Sequence, residues 1–160
     1  MDGYLTETPY PDYFHPEMMP VWLNSALQAL GYQHPDLSRA YTWCELGCGT
    51  GISTIVAAAS NPNGRFIGVD INADAIQQAR SLAERIGLHN VQFMASSFEQ
   101  LAQGDSESLP ACDYIVCHGV YSWVSHANRL WIQQIVRQHL KPAGVAYLAY
   151  MSQPLSLIHI

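Results

Sequence analysis

Glu45-Leu46-Gly47-Cys48-Gly49-Thr50-Gly51 is the stretch that decides the fold. It closes a short β-type run, Tyr41 to Leu46, and runs into a compact apolar segment, Ile52 to Ala59, with helical character. Three alternate glycines between a strand and a helix let the backbone turn sharply and bring it close to a ligand with no Cβ in the way. The helix that follows presents free N–H groups to polar or anionic ligand atoms. A second strand, Arg65 to Asp70, ends on an acid. An acid at that place accepts hydrogen bonds from the hydroxyls of a ribose. A dinucleotide site wants G-x-G-x-x-G, and here Ile52 stands where its third glycine belongs.

The elements on either side extend the pattern. Residues 1–15 are rich in Pro and Tyr and read as an irregular arm. Residues 17–30 carry Met19, Leu23, Ala26, Leu27 and Leu30 at helical spacing, with Gly31 as a stop, and their Met and Trp residues are expected in the core. Ala73 to Ile86 is the clearest helix, with Asn72 as its N-cap and Gly87 closing its end. Strands are expected at Val91–Ala95, Asp113–His118 and Gly144–Tyr150, a helical turn at Phe98–Leu101, and a helix over 126–140 that stops at Leu140-Lys141-Pro142. Short strands alternating with helices predict an α/β fold, a doubly wound, mostly parallel sheet. Ligands of such sheets bind beyond the carboxyl ends of the strands, at the point where strand order reverses.

Composition narrows the classes. The 160 residues suit one domain, and a chain of this size buries roughly 70% of its unfolded surface. Charged residues make up 12%, net charge is −6, and Lys141 with six Arg supplies all the cationic side chains except histidine. No basic cluster exists to grip a nucleic-acid backbone, so a nucleic-acid partner is not expected. The N-terminus lacks a signal-peptide pattern, and the longest apolar run is far short of the ~20 residues that span a bilayer. Cys44, Cys48, Cys112 and Cys117 form no metal or disulfide spacing and read as buried free thiols. The expectation is a chain without metal or membrane partner, soluble, cytoplasmic and reduced.

Acid-x-Gly-x-Gly-x-Gly followed by a second-strand acid resembles the site of class I S-adenosylmethionine-dependent methyltransferases, which are Rossmann-like. The resemblance implies S-adenosyl-L-methionine as cofactor. It implies that Glu45 orients the loop and reaches the cofactor's amino group. Gly47, Gly49 and Gly51 would be close-approach positions, with Cys48 and Thr50 contributing backbone. Asp70 would hold the ribose and Ile71 would cover one face of the adenine. Where the family often has an acid after strand three, this chain has Ser96-Ser97-Phe98; Ser97 would hydrogen-bond and Phe98 would stack.

After strand four the sequence reads His118-Gly119-Val120-Tyr121-Ser122-Trp123-Val124. It differs from the Asn-Pro-Pro-Tyr of methyltransferases acting on amide or base nitrogens. Together with Pro11-Asp12-Tyr13-Phe14 and Ser97-Phe98-Glu99, it is similar to a narrower bacterial group that carries a methyltransferase regulatory domain after the catalytic one. Within that group the implied acceptor is a nucleophilic N or O of a small molecule or of a protein side chain such as lysine. His118, at the methionine end of the ligand, is a candidate base, a cofactor contact or a strand-end hydrogen bonder. Tyr121 is a candidate for substrate binding or for facing the sulfonium through its ring. Tyr10, Tyr13 and Phe14 either fold over the site and line a substrate slot or dock the arm; Trp123 either binds substrate or packs. His15, His34, His89, His126 and His139 share no ligand spacing and read as surface or capping residues. Two other classes compete with methyl transfer: a catalytically silent interaction module and a NAD-dependent oxidoreductase.

The division expected is an arm and helix over 1–40 and the cofactor-binding domain over 41–152, with five of the seven strands usual in the family. The closing strand pair would be missing and the fifth strand left as an edge. Leu155-Ser156-Leu157-Ile158-His159-Ile160 back-translates to CTG TCT CTT ATA CAC ATC, which is similar to a transposon-end sequencing adaptor. The segment is therefore expected to be an artefact and is left out of the fold.

Overall fold

The computed structural model describes residues 13–104 and 109–151. Tyr10 and the 155–160 segment lie outside the described residues. Five strands form one sheet: β1 (Tyr41–Leu46), β2 (Gly64–Asp70), β3 (Val91–Ala95), β4 (Cys112–Cys117) and β5 (Leu140–Leu148). Their order is β3-β2-β1-β4-β5 and every neighbouring pair is parallel. Five helices connect and flank them: α1 (Pro20–Ala29), α2 (Ile52–Ser60), α3 (Ala73–Arg85), α4 (Phe98–Gln103) and α5 (His126–His139). The sequence's α/β doubly wound reading is the fold observed.

The strands read as continuous apolar runs because both sheet faces are covered. Successive side chains point to opposite faces. Cys44 and Leu46 of β1, Ile67 and Val69 of β2, and Ile115 and Cys117 of β4 join Ile132 and Ile135 of α5 in one core. Tyr41 and Trp43, Phe66, and Tyr114 and Val116 enter the other, with Ala57 and Ala58 of α2 and Met18. All four cysteines are buried and free.

Several elements differ from expectation, β4 among them: it runs Cys112–Cys117, which leaves His118 just beyond its end. The N-terminal helix starts later, at Pro20, after a 3-10 turn over Pro16–Met18. Its apolar stripe does not all face inward: Met18 and Leu23 are buried, while Trp22 is 60% and Leu30 72% exposed. Tertiary bonds override the pattern here. Trp43 Nε1 donates to the Met18 carbonyl (3.1 Å), and Tyr114 Oη donates to Asn24 Oδ1 (2.6 Å), whose amide donates to the Pro35 carbonyl (2.8 Å). These buried bonds pin the segment to the sheet and fix which face is inner. The fifth strand begins at Leu140 rather than Gly144, because a register shift between Cys112 and Tyr114 carries Lys141–Gly144 as a bulge, with Ala143 at φ +61°. The turn after β3 continues to Gln103 as α4, and α3 ends at Arg85 with Ile86 as its C-cap. Asn72 caps α3 as expected, its Oδ1 accepting from the Asp74 and Ala75 amides.

Gly51 is where the fold tolerates no side chain. Its φ is +76°, and a Cβ would lie 2.6 Å from Phe93 Cε1 and 2.8 Å from Ala79 Cβ. A left-handed residue costs ~1–2 kcal/mol and overpacking a further ~1–3 kcal/mol. Gly51→Ala is therefore expected to lower unfolding free energy by about 2–4 kcal/mol in urea titration; an unchanged midpoint would contradict the packing assigned to it.

Candidate functional site

Strand order reverses at β1, which pairs with β2 on one side and β4 on the other. Loops leaving the carboxyl ends of β1 and β4 therefore diverge and leave a crevice. The loop after β1 is tied to β2. The Gly47 and Cys48 amides donate to the Val69 carbonyl (2.7 and 3.0 Å), and the Gly51 amide donates to the Cys48 carbonyl (2.9 Å). Asp70, 5% exposed, completes the tie: Oδ2 accepts from the Gly49 amide (2.8 Å) and Oδ1 from the Asn72 amide (2.9 Å).

A cavity fills this crevice. Its walls are Glu45, the loop 47–50 with Ile52 and Ser53, the Asp70-Ile71 pair, Phe98, and the β4 exit at His118, Gly119, Val120, Trp123 and Val124; Tyr13 and His15 cover its mouth. Most of the predicted cofactor contacts are thus brought together. Gly51 is not among the walls, because its constraint is helix–strand packing. Ser97 is also elsewhere: it is the N-cap of α4, in a reciprocal capping box with Gln100. Cys48 sinks into the core and offers backbone.

The substrate-side expectations separate. Tyr13 (64% exposed) and Trp123 (55% exposed) stand at the cavity. Tyr121 does not line it; its ring packs against the core under the Arg129 guanidinium, and its hydroxyl accepts from Gln133 Nε2 (2.8 Å). Phe14 is half-buried and also off the cavity.

Glu45 is buried at the cavity floor, and Thr54 Oγ1 donates to its Oε2 (2.5 Å). Burial, helped by the nearby Asp70 charge and opposed by the Thr54 bond, pushes its carboxyl up to about 8. An acid whose folded value lies above its ordinary 4.5 binds a proton more tightly folded than unfolded. The stability this gives is full below the unfolded value and is lost as pH rises through the folded one. Glu45→Gln keeps the acceptor for Thr54 and cannot ionise. Its melting temperature is therefore expected to gain on wild type as pH rises from about 5 to about 8; a constant difference across that range would contradict the shift.

The group that sequence reading missed is His15 with Glu17. His15, read as a surface or capping residue, is half-buried at the cavity mouth; its amide donates to Ser53 Oγ on α2 (3.1 Å). Glu17 Oε1 lies 3.3 Å from His15 Nδ1 and 3.0 Å from His118 Nε2. The two imidazoles stack with centroids 3.7 Å apart. These donor atoms lie within 4.8 Å of one another, although His118 is far from the others in sequence, so no spacing rule could find them. Burial, and then the neighbouring His15, lower His118 below its ordinary value against the pull of Glu17. Burial alone would raise Glu17, but bonds from its own backbone amide and from His15 hold it below the usual carboxylate value.

The geometry of a switch-point cavity with a glycine loop and two acids is that of a cofactor-binding α/β domain. Residues 37–159 match the model of a methyltransferase domain family, and the chain belongs to that family. The uncharacterized protein sll1526 of Synechocystis is 38% identical over 153 residues, which cover 96% of this chain and 30% of that protein. The uncharacterized protein RP028 of Rickettsia prowazekii is 32% identical, covering 92% of this chain and 57% of that one. PKMT2 from Rickettsia typhi, solved in complex with AdoHcy, superposes with a TM-score of 0.83 at 31% identity, over 91% of this chain and 27% of PKMT2. The chain thus spans 27% to 57% of the length of these relatives. No helix among the described residues is long and apolar enough to cross a membrane.

Proposed function

We propose that this chain carries the S-adenosylmethionine site of a methyltransferase that transfers the methyl group to a nucleophilic N or O of an acceptor, protein lysine being one candidate. The observation that carries the reading is the cavity itself: Asp70, Glu45 and the glycine loop 47–50 line one crevice next to the exit of β4. AdoHcy, the demethylated form of the cofactor, in PKMT2 supports it. The residues present fit the cofactor. Asp70 lines the cavity with a carboxylate that suits the hydroxyls of a ribose, Ile71 and Phe98 line it where an adenine would lie, and Glu45 can receive an ammonium.

The cofactor supplies a methyl group already activated on sulfur. The chain's task is to hold the nucleophile in line and exclude water, which can supply ~7–11 kcal/mol. Tyr13 and Trp123 would flank the incoming acceptor. His118 keeps the roles open to it from the sequence, and the packing of Tyr121 favours a supporting role for that residue. We further place the chain in the bacterial group with a methyltransferase regulatory domain, on the strength of residues 118–124, and in the cytoplasm. A nucleic-acid partner is not part of this reading, in line with seven Lys and Arg against thirteen acids.

Asp70→Ala is expected to weaken S-adenosylhomocysteine at least ~10-fold by calorimetry, about 1.4 kcal/mol. An unchanged dissociation constant would remove Asp70 from the ribose. Tritiated-methyl transfer screened against cell fractions identifies the acceptor; no labelled product in any fraction, with cofactor bound, would favour a silent module.

A further inference from the structure

Sequence alone leaves His118 as a candidate base, a cofactor contact or a strand-end hydrogen bonder. The hydrogen-bond network points elsewhere. Glu17 is held below the usual carboxylate value, so at neutral pH it is an anion that only accepts. Its Oε1 takes the Nδ1–H of His15 at 3.3 Å, and His118 Nε2 lies 3.0 Å from the same oxygen as a charge contact. That bond fixes the neutral tautomer of His15, with hydrogen on Nδ1.

The other nitrogens then differ. His118 Nδ1 is buried and has no hydrogen-bond partner among the described residues. As a bare lone pair that is tolerable. Adding a proton would bury an unsatisfied N–H, at a cost of ~1–3 kcal/mol. His15 Nε2 has no such obstacle; it has no partner among the described residues, and His15 lines the cavity. The groups facing His15 are Glu17, His118, the Tyr13 ring at 4.9 Å and Ser53. None of them blocks protonation of Nε2 with a second positive charge, since His118 stays neutral.

We infer that His15, oriented by Glu17, is the proton acceptor at the cavity mouth, and that His118 is a neutral positioning residue that holds Glu17 from the other side. This rests on the methyl-transfer reading. An acceptor ammonium gives one proton to His15 Nε2, leaving a neutral amine and an imidazolium. The amine lone pair then forms the N–CH₃ bond as the C–S bond breaks, its electron pair staying on sulfur. The imidazolium returns its proton to solvent.

The test is long-range proton–nitrogen NMR of the ¹⁵N-labelled full chain from pH 5 to 9. Expected is a His15 ring carrying hydrogen on Nδ1, held there by Glu17, with the preference for that tautomer weakened in Glu17→Gln. A His15 ring carrying hydrogen on Nε2, or a tautomer unchanged in Glu17→Gln, would overturn the inference. With the accepting cell fraction as probe, His15→Gln should cut transfer by about 10²–10⁴-fold and remove the acidic limb of the pH profile, whereas His118→Gln keeps the limb. The reverse pattern also overturns it. Failure of the methyl-transfer reading would show separately, as absent S-adenosylhomocysteine binding in the same labelled sample.

Discussion

The site depends on one carboxylate doing two backbone jobs. Asp70 sits at the end of β2, buried, and accepts the amides of Gly49 and Asn72 through its two oxygens. One bond holds the glycine loop against the sheet; the other sets the first turn of α3. A buried carboxylate is costly unless its lone pairs are satisfied. Charge-assisted bonds to amides are about twice as strong as neutral ones and offset that cost. The loop is thus shaped before any ligand arrives, with Gly47 at φ +79° and Gly49 at +54°. A Cβ at Gly47 would run into Val120, so the β1 loop and the β4 exit approach each other as closely as backbone allows.

The second constraint is electrostatic. Glu45 and Asp70 face one crevice, and burial with mutual repulsion keeps a proton on Glu45 near neutrality. A cationic amino group entering the crevice would favour loss of that proton, so binding of a positive ligand end and ionisation of Glu45 are coupled.

Much of this was legible in the sequence. The strand–loop–helix around Gly47-Cys48-Gly49 and the acid at Asp70 are local patterns, and parallel sheets place such patterns by rule. Glu45 and the His118 exit could be placed for the same reason. What could not be read depends on side-chain direction or long-range docking. Ser97 looked like a ligand contact but serves its own helix as a cap. Tyr121 sits in a motif stretch yet turns inward to Gln133. The exposed Trp22 reflects the Trp43–Met18 and Tyr114–Asn24 bonds, which decide the inner face of α1. Those same bonds deliver His15 and Glu17 to the cavity mouth, and no periodicity announces them.

The central claim is that the crevice between β1 and β4 is an S-adenosylmethionine site. Calorimetric titration of the unmodified chain with S-adenosylhomocysteine, with NADH as the competing ligand, tests it most directly. The account predicts saturable binding of one S-adenosylhomocysteine per chain and no displacement by NADH. A folded chain that binds NADH, or that shows no saturable heat with S-adenosylhomocysteine, would contradict it.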